Sequence, residues 1–275
     1  MISAHDRFSA CVTLCERHGF GRIEVANRPM MAFTQWFAGD TKGAIPVADT
    51  AIARAARVGH RRAEMVGHHA AFFCRHALMD FEAALRHAEV ALTLAQQLGA
   101  RRFETEALVF LAELHRVTGR RSEALVYAEE AVKISRETSP AFLGPFALGA
   151  LALASDDPTA RQTALEQGEA LLRAGAVSHN HLLFPRDAIE VYLEAGDWER
   201  VEHSAAGLEQ YTRSEPLPFA DFYVARARAL AACGRGQSDI AELAAELERL
   251  HGEGERLGIR VALRSIETAI NQLRG

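Results

Sequence analysis

Apolar residues along this chain recur every three or four positions in stretches of about four to five turns, separated by short joints that carry glycine, aspartate or proline. That period places one face of each stretch against a core, which is the mark of amphipathic helices. Residues 79–118 set the pattern. Ala84 and Ala91 lie two turns apart on one helical face, and a shift of forty residues returns the same spacing as Ala44 and Ala51 after Gly39-Asp40, and as Ala124 and Ala131 after Gly119-Arg120. Ala4 with Cys11 and Ala164 with Leu171 continue the register. The second joint repeats too: Gly19, Gly59 and Gly99 are followed by Arg22, Arg62 and Arg102, and then by Glu24, Glu64 and Glu104. A small residue at a fixed helical position lets two helices approach to about 8–10 Å, and glycine just past a helix end is a stop signal. The pattern therefore predicts stacked helix hairpins: an all-α, right-handed α-α superhelix.

The predicted hairpins pair 24–38 with 42–58, 61–78 with 81–98, and 101–117 with 121–137. A fourth starts after Ser139-Pro140 and turns at Ser155-Asp156-Asp157-Pro158. A fifth pairs 180–195 with 198–213, with Val201 in the anchor slot. A degenerate pair at 217–233 and 237–257 and a last helix at 259–273 close the array. The expected organisation is one solenoid over 1–275: a half repeat at 1–23, five hairpins over 24–213, and capping helices over 214–275. The helix at 2–18 has the register of a second hairpin helix, so Phe8, Val12 and Cys15 are expected on a partly uncovered face. An upstream helix or self-association through this end would cover it.

Composition narrows the function. Apolar residues are 49% and charged residues 24%, an ordinary balance for a chain with a sizeable core. A net charge of −5 and a pI near 6.2 speak against a nucleic-acid-binding face. Cys11, Cys15, Cys74 and Cys233 are too scattered for a disulfide framework and fit reduced thiols in a cytoplasmic protein. The charged N-terminus lacks the apolar stretch of a signal peptide, and the apolar run at 141–154 is too short and too interrupted to span a bilayer. No membrane partner is expected.

Gly39-Asp40 with Ala44-Ile45 and Ala51, Gly119 with Ala124-Leu125 and Ala131, and Gly196-Asp197-Trp198 resemble the turn and second helix of a tetratricopeptide repeat, although the forty-residue unit is longer than that family's usual one. HGFGRIEVAN at 18–27, VGHRRAE at 58–64, LGARRFE at 98–104, ALGALALASDDP at 147–158, HNHLLFPRDAIEVYLEAGDW at 179–198 and ADFYVARARALAACGRG at 220–236 are similar to the C-terminal repeat region of bacterial multidomain class III adenylate/guanylate cyclases that carry a P-loop ATPase module. The chain has no GxxxxGK[ST] phosphate loop, and helical repeats occupy its whole length, so the cyclase and ATPase chemistry of that family is not expected in it.

In tetratricopeptide solenoids the first helices line a concave groove. Carrying that offset onto this chain implies groove positions at Phe33, Trp36 and Phe37, then His69, Phe73 and His76, then Glu106, Glu113 and Arg116, and finally Arg186, Glu190 and Glu194. Aromatics at one end and alternating charges further along suit a partner peptide or helix; the aromatics read equally well as core. His68-His69 point about 100° apart on a helix and cannot readily share a tetrahedral ion, so no metal site is expected. His179-Asn180-His181 reads as a helix cap with Asn180 as N-cap, and a small-ligand pocket near His179, His181, Arg186 and Asp187 is the alternative. Arg22, Arg62 and Arg102 recur at identical positions, each two residues before an acid; they are expected to tie adjacent hairpins, with an anion-binding ladder as the alternative. No nucleophile motif such as GxSxG occurs. The expected function is a non-catalytic interaction or regulatory module with a protein or peptide partner and no cofactor. The alternative is a ligand-sensing domain that controls an attached cyclase, and a closed polar pocket around Arg186 would favour it.

Overall fold

The computed structural model describes residues 2–236 and 239–274, without the side chain of Ile2. Its helices in chain order are α1 (Ile2–His18), α2 (Gly21–Phe37), α3 (Thr41–Arg57), α4 (Arg61–Ala77), α5 (Phe81–Gln97), α6 (Arg101–Val117), α7 (Arg121–Thr138), α8 (Pro140–Ala154), α9 (Pro158–Arg173), α10 (Asn180–Ala195), α11 (Trp198–Thr212), α12 (Pro218–Gly234), α13 (Ile240–Leu257) and α14 (Leu263–Arg274). Each packs on the next, and α2, α4, α6, α8, α10 and α12 also pack in sequence on one another along the inner face. The chain is an all-α, right-handed superhelical solenoid of the tetratricopeptide kind. Of the expected helix at 237–257, positions 237 and 238 lie outside the described residues.

Local chemistry explains the regularity. Gly19, Gly39, Gly59, Gly99 and Gly119 all have positive φ, between 59° and 85°, so both kinds of joint end a helix in the left-handed conformation that glycine adopts freely. Met79 occupies the same slot with φ 64°, the one non-glycine residue of positive φ among those described. The next residue then caps the following helix: Asp40, His60 and Asp80 accept from the backbone N–H three residues on.

The anchor alanines Ala44, Ala51, Ala84, Ala91, Ala124 and Ala131 are fully buried. One turn beyond the first anchor of each pair, Ala48, Ala88 and Ala128 are fully buried too, and in α9 that neighbouring slot holds Gly168, where a Cβ would collide with the ring of Phe184, so the crossing leaves little room. Ala84→Leu is therefore expected to overpack the crossing and to cost about 1–3 kcal/mol. A urea midpoint equal to that of wild type would show that the crossing has slack.

Two features depart from the expected array. In α1, which packs on α2, Val12 and Cys15 are buried and Phe8 is half-buried, so of the face expected to be partly uncovered only the Phe8 end stays open; Leu14, Phe20 and Ile23 are the large apolar side chains exposed in this region. The solenoid also closes on itself. Trp36 and Phe37 of α2 pack on Phe219 of α12 with ring centroids 5.0 and 5.2 Å apart, and the Thr41 hydroxyl donates to the Leu257 carbonyl at 2.6 Å. Ser3 gives its backbone N–H and hydroxyl to Glu215, both at 3.0 Å. Instead of running straight through 259–273, the chain turns at Gly258 (φ 71°), passes through a 3-10 turn at Arg260–Ala262 that touches α4, and enters α14. Buried Ile259 holds that turn in place.

Candidate functional site

Closure turns the inner face into a basin of about 650 Å³, walled by α6, α8, α10, α12 and α14 and by the joint after α4. Of the groove positions, Glu113, Arg116, Arg186, Glu190 and Glu194 line it. Trp36, Phe37 and Phe73 do not: they are buried in the main core, where Trp36 lies 4.7 Å from Phe73 and on Phe219, while Phe33 is half-buried edge-on to Phe73. The physical reason is α12, which covers the aromatic end of the inner face. Truncating Trp36 or Phe73 would thus hollow the core and report on folding before binding.

His69 and Glu106 form a separate pair, Nδ1 to Oε2 at 2.7 Å, beside the rings of Phe103 and Phe110. Burial opposes ionisation of Glu106, but His69 and His179 hold its carboxyl below the usual range. His76 sits behind the basin wall with Nε2 3.7 Å from Glu113, and burial pushes its pKa down more than Glu113 raises it.

Guanidinium groups organise the basin. Arg226, almost fully buried on α12, donates to both oxygens of Glu190 at 2.5 and 3.1 Å, to the Ala262 carbonyl at 2.9 Å and to the Ser265 hydroxyl at 2.6 Å. One side chain thereby ties α10, α12 and the entry to α14. Arg186 donates Nε and Nη2 to Oδ1 of Asp187 at 2.8 and 2.6 Å, with Glu113 at 3.6 Å. Gly149 on α8 leaves room for that carboxylate, because a Cβ there would press on Asp187. Burial pushes the Asp187 carboxyl up to about 7, with Arg186 pulling down and Glu113 pushing up. Burial likewise opposes ionisation of Glu113, yet His76, Arg186 and Arg116 beside it hold it below the ordinary carboxylate range. Glu194 is exposed at the rim and pairs with Arg161 at 2.9 Å. Apolar wall comes from Met79, Phe81, Leu153, Leu193, Trp198 and Leu230.

Other expected contacts rearrange. Glu64 and Glu104 pair with Arg61 and Arg101, each at 3.0 Å, because residues three apart share a helix face and residues two apart do not. Arg62 and Arg102 lie over the rings of Phe103 and Phe142 on the next hairpin, Arg102 at 4.9 Å from the latter, and so link adjacent hairpins as expected; Glu24 pairs with Arg28 at 2.5 Å. Asn180 is not the N-cap. It is buried, donating to the Phe142 carbonyl at 2.9 Å and accepting from the Phe146 N–H at 3.3 Å, which fastens α10 to α8. His179 also bonds the Phe142 carbonyl, and His181 stacks on Tyr211 at 4.5 Å, so neither joins Arg186 and Asp187 in a pocket. Among the described residues no three His, Cys, Asp or Glu side chains gather as a metal ion requires, and no helix is long and apolar enough to cross a membrane.

Sequence reasoning missed Tyr223, Arg226, Ser265 and Met79 as basin residues. Arg226 carried a signal, since it falls forty residues after Arg186, on the repeat spacing. Tyr223 and Ser265 follow from closure, which no local pattern announces, and Met79 shows in the sequence only as a break in the glycine spacing.

No protein-family model matches the chain, and no characterised relative matches it by sequence. By shape it is similar to a solved structure described as a Rap protein complexed with competence and sporulation factor, with a TM-score of 0.62 and 12% identity over 92% of this chain and 75% of that one. An identity so low speaks for the fold alone: the two chains share a superhelix of helical repeats.

Proposed function

We propose that this chain is a non-catalytic binding module whose basin takes a short segment of a partner peptide. The observation that carries the reading is the basin itself: charged side chains from four helices, α6, α10, α12 and α14, converge with apolar and aromatic wall in a space of about 650 Å³. Such a mixture fixes the register of a backbone by charge and gains affinity by burial. The Rap protein of similar shape is described in complex with a factor, which agrees with this use of the fold. Covered aromatics exclude a long helix lying along the entire inner face, so the occupant is short.

Closure also favours a second reading, a sensor that reports a small ligand to an attached signalling domain of the cyclase kind. In either case the division into an opening half repeat, five hairpins and closing helices belongs to the proposal, as does a cytoplasmic setting.

The test is to screen the full chain against fluorescent linear hexapeptides and to follow hydrogen exchange with the binders. Slowed exchange in α6, α10 and α12 is the expected result. Protection confined to the outer helices α3, α5 and α7 would move the site elsewhere, and the absence of any binder would favour the sensor.

A further inference from the structure

Two features of the basin are unexplained by folding. The first is Met79. At five equivalent joints glycine takes the left-handed conformation, but here a methionine does so, and an L side chain is disfavoured in that region. A buried side chain could offset the strain through packing. Met79 is 49% exposed, and it lies on the basin wall. The helix-ending hydrogen bonds from Met79 N–H to the His76 carbonyl and from Asp80 N–H to the Arg75 carbonyl, both 2.9 Å, hold the joint in this shape, but glycine makes the same bonds at the equivalent joints without strain, so they do not call for a methionine. Local strain retained at a cavity rim points to use of the side chain, and methionine is an adaptable apolar contact.

The second feature is Arg116. Asp187 is engaged by Arg186, Glu190 by Arg226 and Glu194 by Arg161, while Glu113, which feels the charge of Arg116, has His76 at 3.7 Å and Arg186 at 3.6 Å. Arg116, on the last turn of α6 and also in the basin wall, makes no ion pair among the described residues, and its Nε is buried without a hydrogen-bond partner. A buried donor left unmatched is costly. The two features share one space, because Met79 and Arg116 both line the same basin, with Phe81 and Val117 beside them in its wall.

We propose that Met79 and Arg116 form one subsite, Met79 an apolar lip and Arg116 a receptor for an anion, so that the bound segment carries an apolar side chain next to a carboxylate. This rests on the peptide reading above and names what the peptide must contain. The carboxylate comes either from Asp or Glu or from the end of the peptide chain.

A positional-scanning library of N-acetyl hexapeptides, prepared as C-terminal acids and as amides, separates these sources by fluorescence polarisation. Leu, Met or Phe beside Asp or Glu should be selected in both forms if the side chain binds; selection should vanish in the amides if the chain end binds. Met79→Gly should weaken the selected peptide at least tenfold while raising the Tm by about 1–3 °C as the strain is relieved. Arg116→Gln should bind carboxylate and carboxamide peptides equally. Unchanged affinity or a lowered Tm in Met79→Gly, or a preserved carboxylate preference in Arg116→Gln, overturns the subsite. If peptides bind without either preference, the peptide reading stands and this inference fails; if none binds, both fail.

Discussion

At pH 8, Arg186→Leu is expected to lower the unfolding free energy by about 3–5 kcal/mol, because it removes the nearest counter-charge of both Glu113 and Asp187, the latter 2% exposed, and leaves Asp187 either ionised with only the more distant Arg116 or protonated at a cost. The loss comes from the stranded charge and far less from the missing attraction. The double variant Arg186→Leu with Asp187→Leu should accordingly regain most of the stability, since a buried ion pair replaced by apolar groups is often neutral. Urea midpoints of the three proteins decide the matter. A single variant as stable as wild type would mean that the basin floor is wet enough to solvate Asp187 unaided.

The second large effect is a pH dependence. Asp187 has a folded pKa raised from 3.8 to about 7, by burial first and by Glu113 second, against the pull of Arg186. A raised carboxyl favours folding while it holds its proton, so its contribution is complete below pH 4, declines as the unfolded chain ionises, and is gone above pH 7. Between pH 5 and 8 the stability of wild type relative to Asp187→Asn should fall by roughly 2–3 kcal/mol. Comparison with the asparagine variant is needed because buried His76 and His179, with lowered pKa values, work in the opposite sense below about pH 6.5. Urea unfolding at pH 5, 6, 7 and 8 measures the difference. If the advantage of wild type grows with pH, Arg186 holds Asp187 ionised throughout.

The helices were legible because each repeats the same local solution. Gly39-Asp40 stops one helix and caps the next by rules that act over four residues, and Ala84 needs only its own helix face to declare a close crossing. The basin was half legible for the same reason: Glu113, Arg116, Arg186 and Glu190 follow from repeat position. Trp36 and Phe73 show where such reasoning ends. Their register places them on the inner face, but whether that face is open depends on Phe219, which lies on α12 at the far end of the chain. Met79 was hidden differently. It breaks the glycine pattern at a single joint, and only its φ distinguishes a substitution the turn tolerates by changing shape from one held in a strained shape.

An open solenoid behaves as a spring, since pulling its ends apart lets every turn yield a little. Here Trp36 and Phe37 on Phe219, and Thr41 on Leu257, make it a hoop. Tension applied to a hoop gathers at its fastening, and the coil resists until that fastening parts. The basin walls then separate together, since Arg226 joins three of them at one point. A segment bound in the basin as proposed would therefore be held or released by the whole ring and not by any one repeat.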